Sequence, residues 1–221
     1  MDLKLEGKIA LVTGSSKGIG EGIAHGLARE GVVVIVHGRD RAKTEQVAHD
    51  IIAKGGRAHV VLGDLTKEDE VQRMIDDAEA LLPPVEIVIN NAGGSSGTED
   101  WATTQSETWA GGYDRNVLAA VRIISRLLPA MREAGWGRIV NISSLAGMMP
   151  PAGRPDYAAA KAAMIAMTAS LAKAVAKDGV TANTVSPGTI HSVSLDEAFR
   201  RAAAGRGLAA DASWSEIEQK V

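Results

Sequence analysis

The residues Lys8-Ile9-Ala10-Leu11-Val12 and the turn Thr13-Gly14-Ser15-Ser16-Lys17-Gly18-Ile19-Gly20 constrain the fold more than any other stretch. An apolar run of strand length with no polar alternation reads as a strand buried on both faces. Such strands belong to parallel sheets covered by helices. Glu21 to Glu30, after the turn, has helical character. In a strand, glycine-rich turn and helix, backbone can approach a pyrophosphate. The helix N-terminus adds unpaired N–H groups at the positive end of its dipole. A plain strand-to-helix turn needs one glycine, and this turn holds three. Their spacing is not the G-x-G-x-x-G of the general dinucleotide fingerprint.

The same unit recurs along the chain. Strand-like runs cover Val32 to Val36, Ala58 to Leu62, Val85 to Ile89, Gly137 to Ser143 and Val180 to Val185. Helical stretches lie between them: Arg41 to Lys54, stopped by Gly55-Gly56; Lys67 to Leu82, closed by Pro83-Pro84; Tyr113 to Ala134; and Tyr157 to Lys177. Gly94 to Glu107 and Met148 to Pro155 read as loops, the second as one wall of a pocket. Alternation with short connections predicts one open, doubly wound parallel sheet with right-handed crossovers, an α/β fold in three layers. No repeat or interdomain linker interrupts residues 1–221, so a single domain is expected.

Composition narrows the function classes. With one Phe and two Tyr, the core must be built from aliphatic residues. The formal net charge is −3 and no dense Lys/Arg block occurs, which argues against nucleic acid or an anionic membrane as partner. No cysteine is present, so thiolate and disulfide chemistry are excluded. The start, Met1-Asp2-Leu3-Lys4-Leu5-Glu6, has no apolar h-region, and no apolar run of membrane-spanning length is expected. A cytoplasmic protein is the simplest expectation. The five histidines, His25, His37, His49, His59 and His191, show no ligand spacing and are expected on helix and strand surfaces, with no metal site.

Several residues carry candidate chemistry. Tyr157 and Lys161 are four apart at the start of an Ala-rich helix, so phenol and ammonium share one face. A free phenol ionises too high to trade protons well at neutral pH, and a neighbouring cation favours the phenolate. The pair is therefore a candidate general acid/base, although the same spacing is common on ordinary helices. Ser143 and Ser144 end the fifth strand, and Asn116 lies inside an apolar helix stretch, where a buried amide needs partners. An NAD enzyme places an acid against the adenosine ribose at the end of its second strand. Here Gly38 stands there, Arg39 follows, and Lys17 is a second cation nearby, which favours NADP(H) over NAD(H). Asp40, one register away, keeps NAD(H) open. Asp64 reads either as an acceptor for the adenine amino group or as a turn carboxylate. Small residues in Asn90-Asn91-Ala92-Gly93-Gly94 suit a flat ligand at the switch point of the sheet, while Asn90 alternatively pins strand ends.

Taken together, TGSSKGIG, the NNAG of Asn90 to Gly93, Asn116, Ser144 with Tyr157 and Lys161, and Pro187-Gly188 resemble the short-chain dehydrogenase/reductase family, over residues 5 to about 192. The resemblance implies the strand order 3-2-1-4-5-6. It selects Ser144 over Ser143, because the family's serine precedes its tyrosine by thirteen positions. It implies a carbonyl/secondary-alcohol oxidoreductase in which Ser144 binds the substrate oxygen, Tyr157 exchanges the proton and Lys161 tunes Tyr157 and holds the nicotinamide ribose. Asn116 would keep a water in a relay to Lys161. Cofactor contacts are implied at Gly14, Ser16, Lys17, Gly18, Ile19 and Gly20, at Arg39, Asp64 and Leu65, and at Asn91, Ala92 and Gly93. Further contacts are implied at Pro187, Gly188 and Ile190, near Ser192, where a Thr is usual. Residues 188–221 would be a lid-like cover over a small carbonyl or alcohol substrate, and a homo-oligomer, dimer or tetramer, is the family norm. The nearest resemblance is to 3-oxoacyl-carrier-protein reductases. The family's seventh strand has no candidate here, so a partial chain is expected. A cofactor-binding protein without catalysis and a sugar-nucleotide epimerase are the alternatives; the filled tetrad opposes the first and the glycine spacing the second.

Overall fold

The computed structural model describes residues 3–95, 97, 100–188, 190, 193–209 and 211–220. Six strands form one parallel sheet: β1 (Ile9–Val12), β2 (Val33–Gly38), β3 (Arg57–Leu62), β4 (Ile87–Asn90), β5 (Gly137–Ile142) and β6 (Val180–Val185). Their order is β3-β2-β1-β4-β5-β6, as expected. The helices joining them are α1 (Gly18–Arg29), α2 (Arg41–Ala53), α3 (Glu68–Glu79), α4 (Ser106–Tyr113), α5 (Ala119–Glu133) and α6 (Pro155–Val175). Strand order reverses between β1, whose other neighbour is β2, and β4. That reversal opens a crevice at the carboxyl ends of the strands.

The twofold alternation of a strand builds two cores from one apolar run. Ile9 and Leu11 of β1 face a cluster with Met74 of α3, Ile123 and Leu127 of α5 and Met164 of α6. Ala10 and Val12 face a second cluster with Ala24 of α1 and Val47 and Ile51 of α2. Burying each such Ile or Leu contributes about 1.5–3 kcal/mol. At the sheet's end, β6 buries Val180 and Ala182 and leaves Thr181, Asn183 and Val185 exposed.

Three expectations are corrected. The predicted helix over 113–134 is broken into α4, which starts earlier at Ser106, a π turn at Asp114–Leu118, and α5. Gly111-Gly112, a poor helix-forming pair, conceals α4 in the sequence. His37 is not a surface residue: it belongs to β2 and is buried. Finally, α6, 21 residues with a mean hydropathy of 1.3, is long and apolar enough to match a membrane span by length and composition. Its Ala content produces that match. In this fold it covers the sheet and buries Asp156 and Lys161 in its first two turns.

The chain divides into two compact units, residues 1–188 and 189–221. The second contains α7 (Val193–Gly205) and α8 (Trp214–Lys220). Within it, Phe199 and Trp214 pack with ring centres 5.9 Å apart, and the Arg200 guanidinium bonds the Ala212 carbonyl.

Candidate active site

The glycine turn is fixed to both neighbouring strands by side chains. The Thr13 hydroxyl accepts from the N–H groups of Asn91 and Ala92, and the Asn91 amide donates to the carbonyls of Thr13 and Gly14. On the other side, Ser15 Oγ donates to the Val12 carbonyl and accepts the His37 N–H. His37 Nδ1 accepts the Gly14 N–H at 3.0 Å while Nε2 faces the Gly63 carbonyl at 3.1 Å. One nitrogen must accept and the other must donate, so the imidazole is neutral with its proton on Nε2. Burial drives its pKa from 6.5 to about 4, opposed by the Gly63 bond.

The turn and its surroundings fit a dinucleotide. Lys17 is the N-cap of α1 but supplies no capping hydrogen bond, so the helix start stays open to an anion. A cleft of about 550 Å³ lies in front of it, bounded by Gly14, Ser16, Lys17, Arg39, Asp64 and Leu65. The far wall adds Asn91, Ala92 and Gly93. Gly18, Ile19 and Gly20 form the first turn of α1, with Gly20 buried behind the turn and Gly18 and Ile19 exposed.

At the β2 end, a side chain has no room. A Cβ on Gly38 would stand 2.3 Å from Thr44 Oγ1 and 3.0 Å from Ser16 Oγ. Asp40, the alternative ribose acid, is the N-cap of α2 and accepts the Lys43 N–H. Arg39 is exposed at the rim, 3.9 Å from an Asp64 oxygen. The Asp64 carboxylate also accepts from the Thr66 N–H and hydroxyl, which, with Arg39 and Lys67, hold its pKa below the usual range. Asp64 therefore serves as a turn carboxylate as well as a cleft residue.

The second group gathers where β4 and β5 end. Asn90 donates to Asn141, which donates to Thr168 of α6, pinning both strand ends to that helix. Ser143 is buried and donates to the Lys161 carbonyl. Ser144 is half-buried, and its Oγ accepts the Ala146 N–H, which leaves the hydroxyl proton free for another acceptor. Lys161 Nζ donates to the Ile142 carbonyl at 2.8 Å and lies 5.7 Å from the Tyr157 ring centre. Burial lowers the Lys161 pKa to about 8. Asn116 is fully buried: its oxygen accepts the Gly94 N–H, and its nitrogen donates to the carbonyls of Gly94 and Gly112. Gly93, at φ +154°, joins these residues. A Cβ there would lie 2.5 Å from the Asn116 oxygen and 3.5 Å from Lys161 Nζ.

Pro187 accepts the Leu145 N–H, so the end of β6 lies beside the Ser144 turn, with Gly188 next to Leu145. Ile190 is exposed and belongs to the second unit; His191 and Ser192 lie outside the described residues. The cleft residues that the sequence reading missed include His37, Asp114 and Arg115. A signal existed for two of them: an acid and a base directly before Asn116 in an otherwise apolar stretch.

Comparison with known proteins identifies the family. The family model described as short chain dehydrogenase matches residues 8–203. The 3-oxoacyl-(acyl-carrier-protein) reductase of Pseudomonas aeruginosa is 35% identical over 209 residues, 92% of this chain and 83% of that protein. Nodulation protein G of Azospirillum brasilense is 35% identical over 184 residues, 83% of this chain and 74% of that one. Among solved structures, the L-sorbose reductase of Gluconobacter frateurii in complex with NADPH and L-sorbose superposes with a TM-score of 0.90 at 31% identity, covering 96% of this chain and 80% of that one. A 3-oxoacyl (acyl-carrier-protein) reductase from Agrobacterium tumefaciens with NADP bound gives 0.83 at 37% identity, over 92% and 77%. The chain is an oxidoreductase of the short-chain dehydrogenase/reductase family.

Proposed function

We propose that this protein interconverts a ketone and a secondary alcohol with NADP(H), using Tyr157 as the acid/base. The observation that supports the reading is Lys161 Nζ, which lies 5.7 Å from the Tyr157 ring centre and, with the Asn116 oxygen, borders Gly93 just past β4, while Ser144 follows β5 with its hydroxyl proton uncommitted. The nicotinamide, when bound, supplies or accepts the hydride. Ser144, with its hydroxyl proton uncommitted, donates a hydrogen bond to the substrate oxygen. Tyr157 passes a proton to that oxygen in reduction and removes it in oxidation. The Lys161 ammonium, one helical turn away, stabilises the phenolate and binds the ribose hydroxyls. Asn116 holds Gly94 and the end of α4 in place, and so shapes the floor beneath Lys161.

NADP(H) is favoured because Gly38 leaves no space for a ribose acid, Asp40 caps a helix, and Arg39 and Lys17 are cations on the cleft. Two of the named relatives are a 3-oxoacyl-(acyl-carrier-protein) reductase and an L-sorbose reductase, so 3-oxoacyl compounds and L-sorbose are the first substrates to try. We further propose a homo-oligomer, as the family resemblance implies, to be tested by light scattering, and a cytoplasmic location, to be tested by cell fractionation. The decisive experiment is Tyr157→Phe. NADPH should still bind within about twofold while turnover falls by about a thousandfold or more. Retained turnover removes Tyr157 from the chemistry.

A further inference from the structure

The reading above leaves one cleft cation without a role. Gly111, Arg115 and Ala119 all line the cleft, spaced four apart through the π turn. With a glycine and an alanine on either side, Arg115 is the one long side chain on this stripe. Its Nε is sealed from solvent yet makes no hydrogen bond. No carboxylate lies within ion-pair distance of it among the described residues. The adjacent acid, Asp114, is committed instead to Arg122 at 2.7 Å, and Arg122 also reaches Glu68. A half-buried guanidinium whose Nε is sealed from water without a hydrogen bond is an arrangement that an incoming oxyanion completes. The same cleft is lined by Lys17, at the open start of α1.

We propose that Arg115 is a cofactor-binding residue that clasps the pyrophosphate of the dinucleotide from the wall opposite the glycine turn. The assignment rests on the dinucleotide reading of the cleft. The pyrophosphate is the anion common to NADPH and NADH. It belongs opposite the helix N-terminus, whereas the 2′-phosphate falls to Arg39 at the rim. Arg115 therefore strengthens both cofactors equally and adds nothing to the choice between them. Its planar fork suits two phosphate oxygens at once, so lysine replaces it only in part.

The test is fluorescence titration of the full chain with NADPH and with NADH, for wild type, Arg115→Ala and Arg115→Lys, each checked for an unchanged melting profile. Arg115→Ala should raise both dissociation constants by the same factor, about tenfold or more, and Arg115→Lys should recover part of the loss. Unchanged affinity for both cofactors overturns the proposal. A loss confined to NADPH also overturns it, because it moves the contact to the 2′-phosphate. Wild-type protein that binds neither cofactor sinks the dinucleotide reading itself, a different result. If Arg115→Ala does not fold, phenylglyoxal modification of the wild type with peptide mapping reads the same contact. Saturating NADH must then shield Arg115, and equal labelling with and without NADH refutes the assignment.

Discussion

Acid should destabilise this protein through His37, by an amount its surroundings set. The imidazole is buried and accepts the Gly14 N–H, so a second ring proton would face a donor instead of an acceptor. Burial is the main cause of its lowered pKa; the Gly63 carbonyl opposes it, and Arg39 and Asp64 act in opposite directions. The folded value is about 4 against 6.5 for the ordinary side chain. The unfolded chain therefore binds the proton first as pH falls. Stability from this residue is complete above pH 6.5 and is lost progressively between 6.5 and 4. At about 1.36 kcal/mol per pKa unit the loss is about 3 kcal/mol, a substantial part of the 5–15 kcal/mol typical of a domain.

Urea denaturation between pH 7.5 and 4 measures this loss, and His37→Asn isolates it. An Asn oxygen replaces Nδ1 as acceptor for Gly14 and does not titrate. At pH 7.5 the variant should be less stable by about 1–3 kcal/mol, because the Gly63 carbonyl loses its donor and a cavity opens. Carboxylates titrate in both proteins, so the difference between them reports His37. That difference should shrink as pH falls and vanish or reverse near pH 4. A gap that stays constant across the range would refute the buried neutral imidazole.

Three further outcomes follow from the site. Arg39→Ala should weaken NADPH by about tenfold more than NADH in a fluorescence titration, and equal losses would remove Arg39 from the 2′-phosphate. Gly93→Ala should lose about 2–4 kcal/mol of stability and most of its turnover, because its φ of +154° and the Asn116 oxygen both exclude a methyl group; a variant with wild-type melting and turnover counts against that packing. Lys161 has its pKa lowered to about 8 by burial, so at pH 8.5 most of the amine is neutral. Binding an anionic dinucleotide should draw up to about 0.7 proton onto it, read by calorimetry in buffers of different ionisation enthalpy, and Lys161→Met should abolish the uptake.

The sheet was legible because strands buried on both faces are continuous apolar runs, and all six lie within about two residues of their expected limits. Gly137–Ile142, for example, is one residue shorter than expected, and Val180–Val185 matches. The exposure of His37 was not legible for the same reason. In a two-sided strand no polar face exists to mark which residues turn inward, and a histidine near the strand's end looks like part of the following turn. The partners of its ring are the Gly14 N–H and the Gly63 carbonyl, 23 and 26 residues away. The roles of the two serines were legible only through the resemblance. In the fold they differ physically, because one hydroxyl is spent on the Lys161 carbonyl and the other is not.

The π turn explains why one short segment touches both halves of the site. In a regular helix, neighbouring residues diverge by about 100°, so Arg115 and Asn116 could not both face the same small ligand. Asn116 turns inward and holds Gly94 and Gly112, while Arg115 lines the cleft. The i to i+5 bond from the Ala119 N–H to the Asp114 carbonyl inserts one extra residue into the helix at this point. Such bulges recur at functional sites. Removing that residue would rotate everything before it by about one residue step, carrying Gly112 away from Asn116 and Gly111 off the cleft stripe. Deletion of Tyr113 therefore separates two ideas. If the bulge positions the site, the deletion variant keeps its fold by circular dichroism but loses both cofactor affinity and turnover. If the bulge is only an accident of packing, a regular helix forms and both survive.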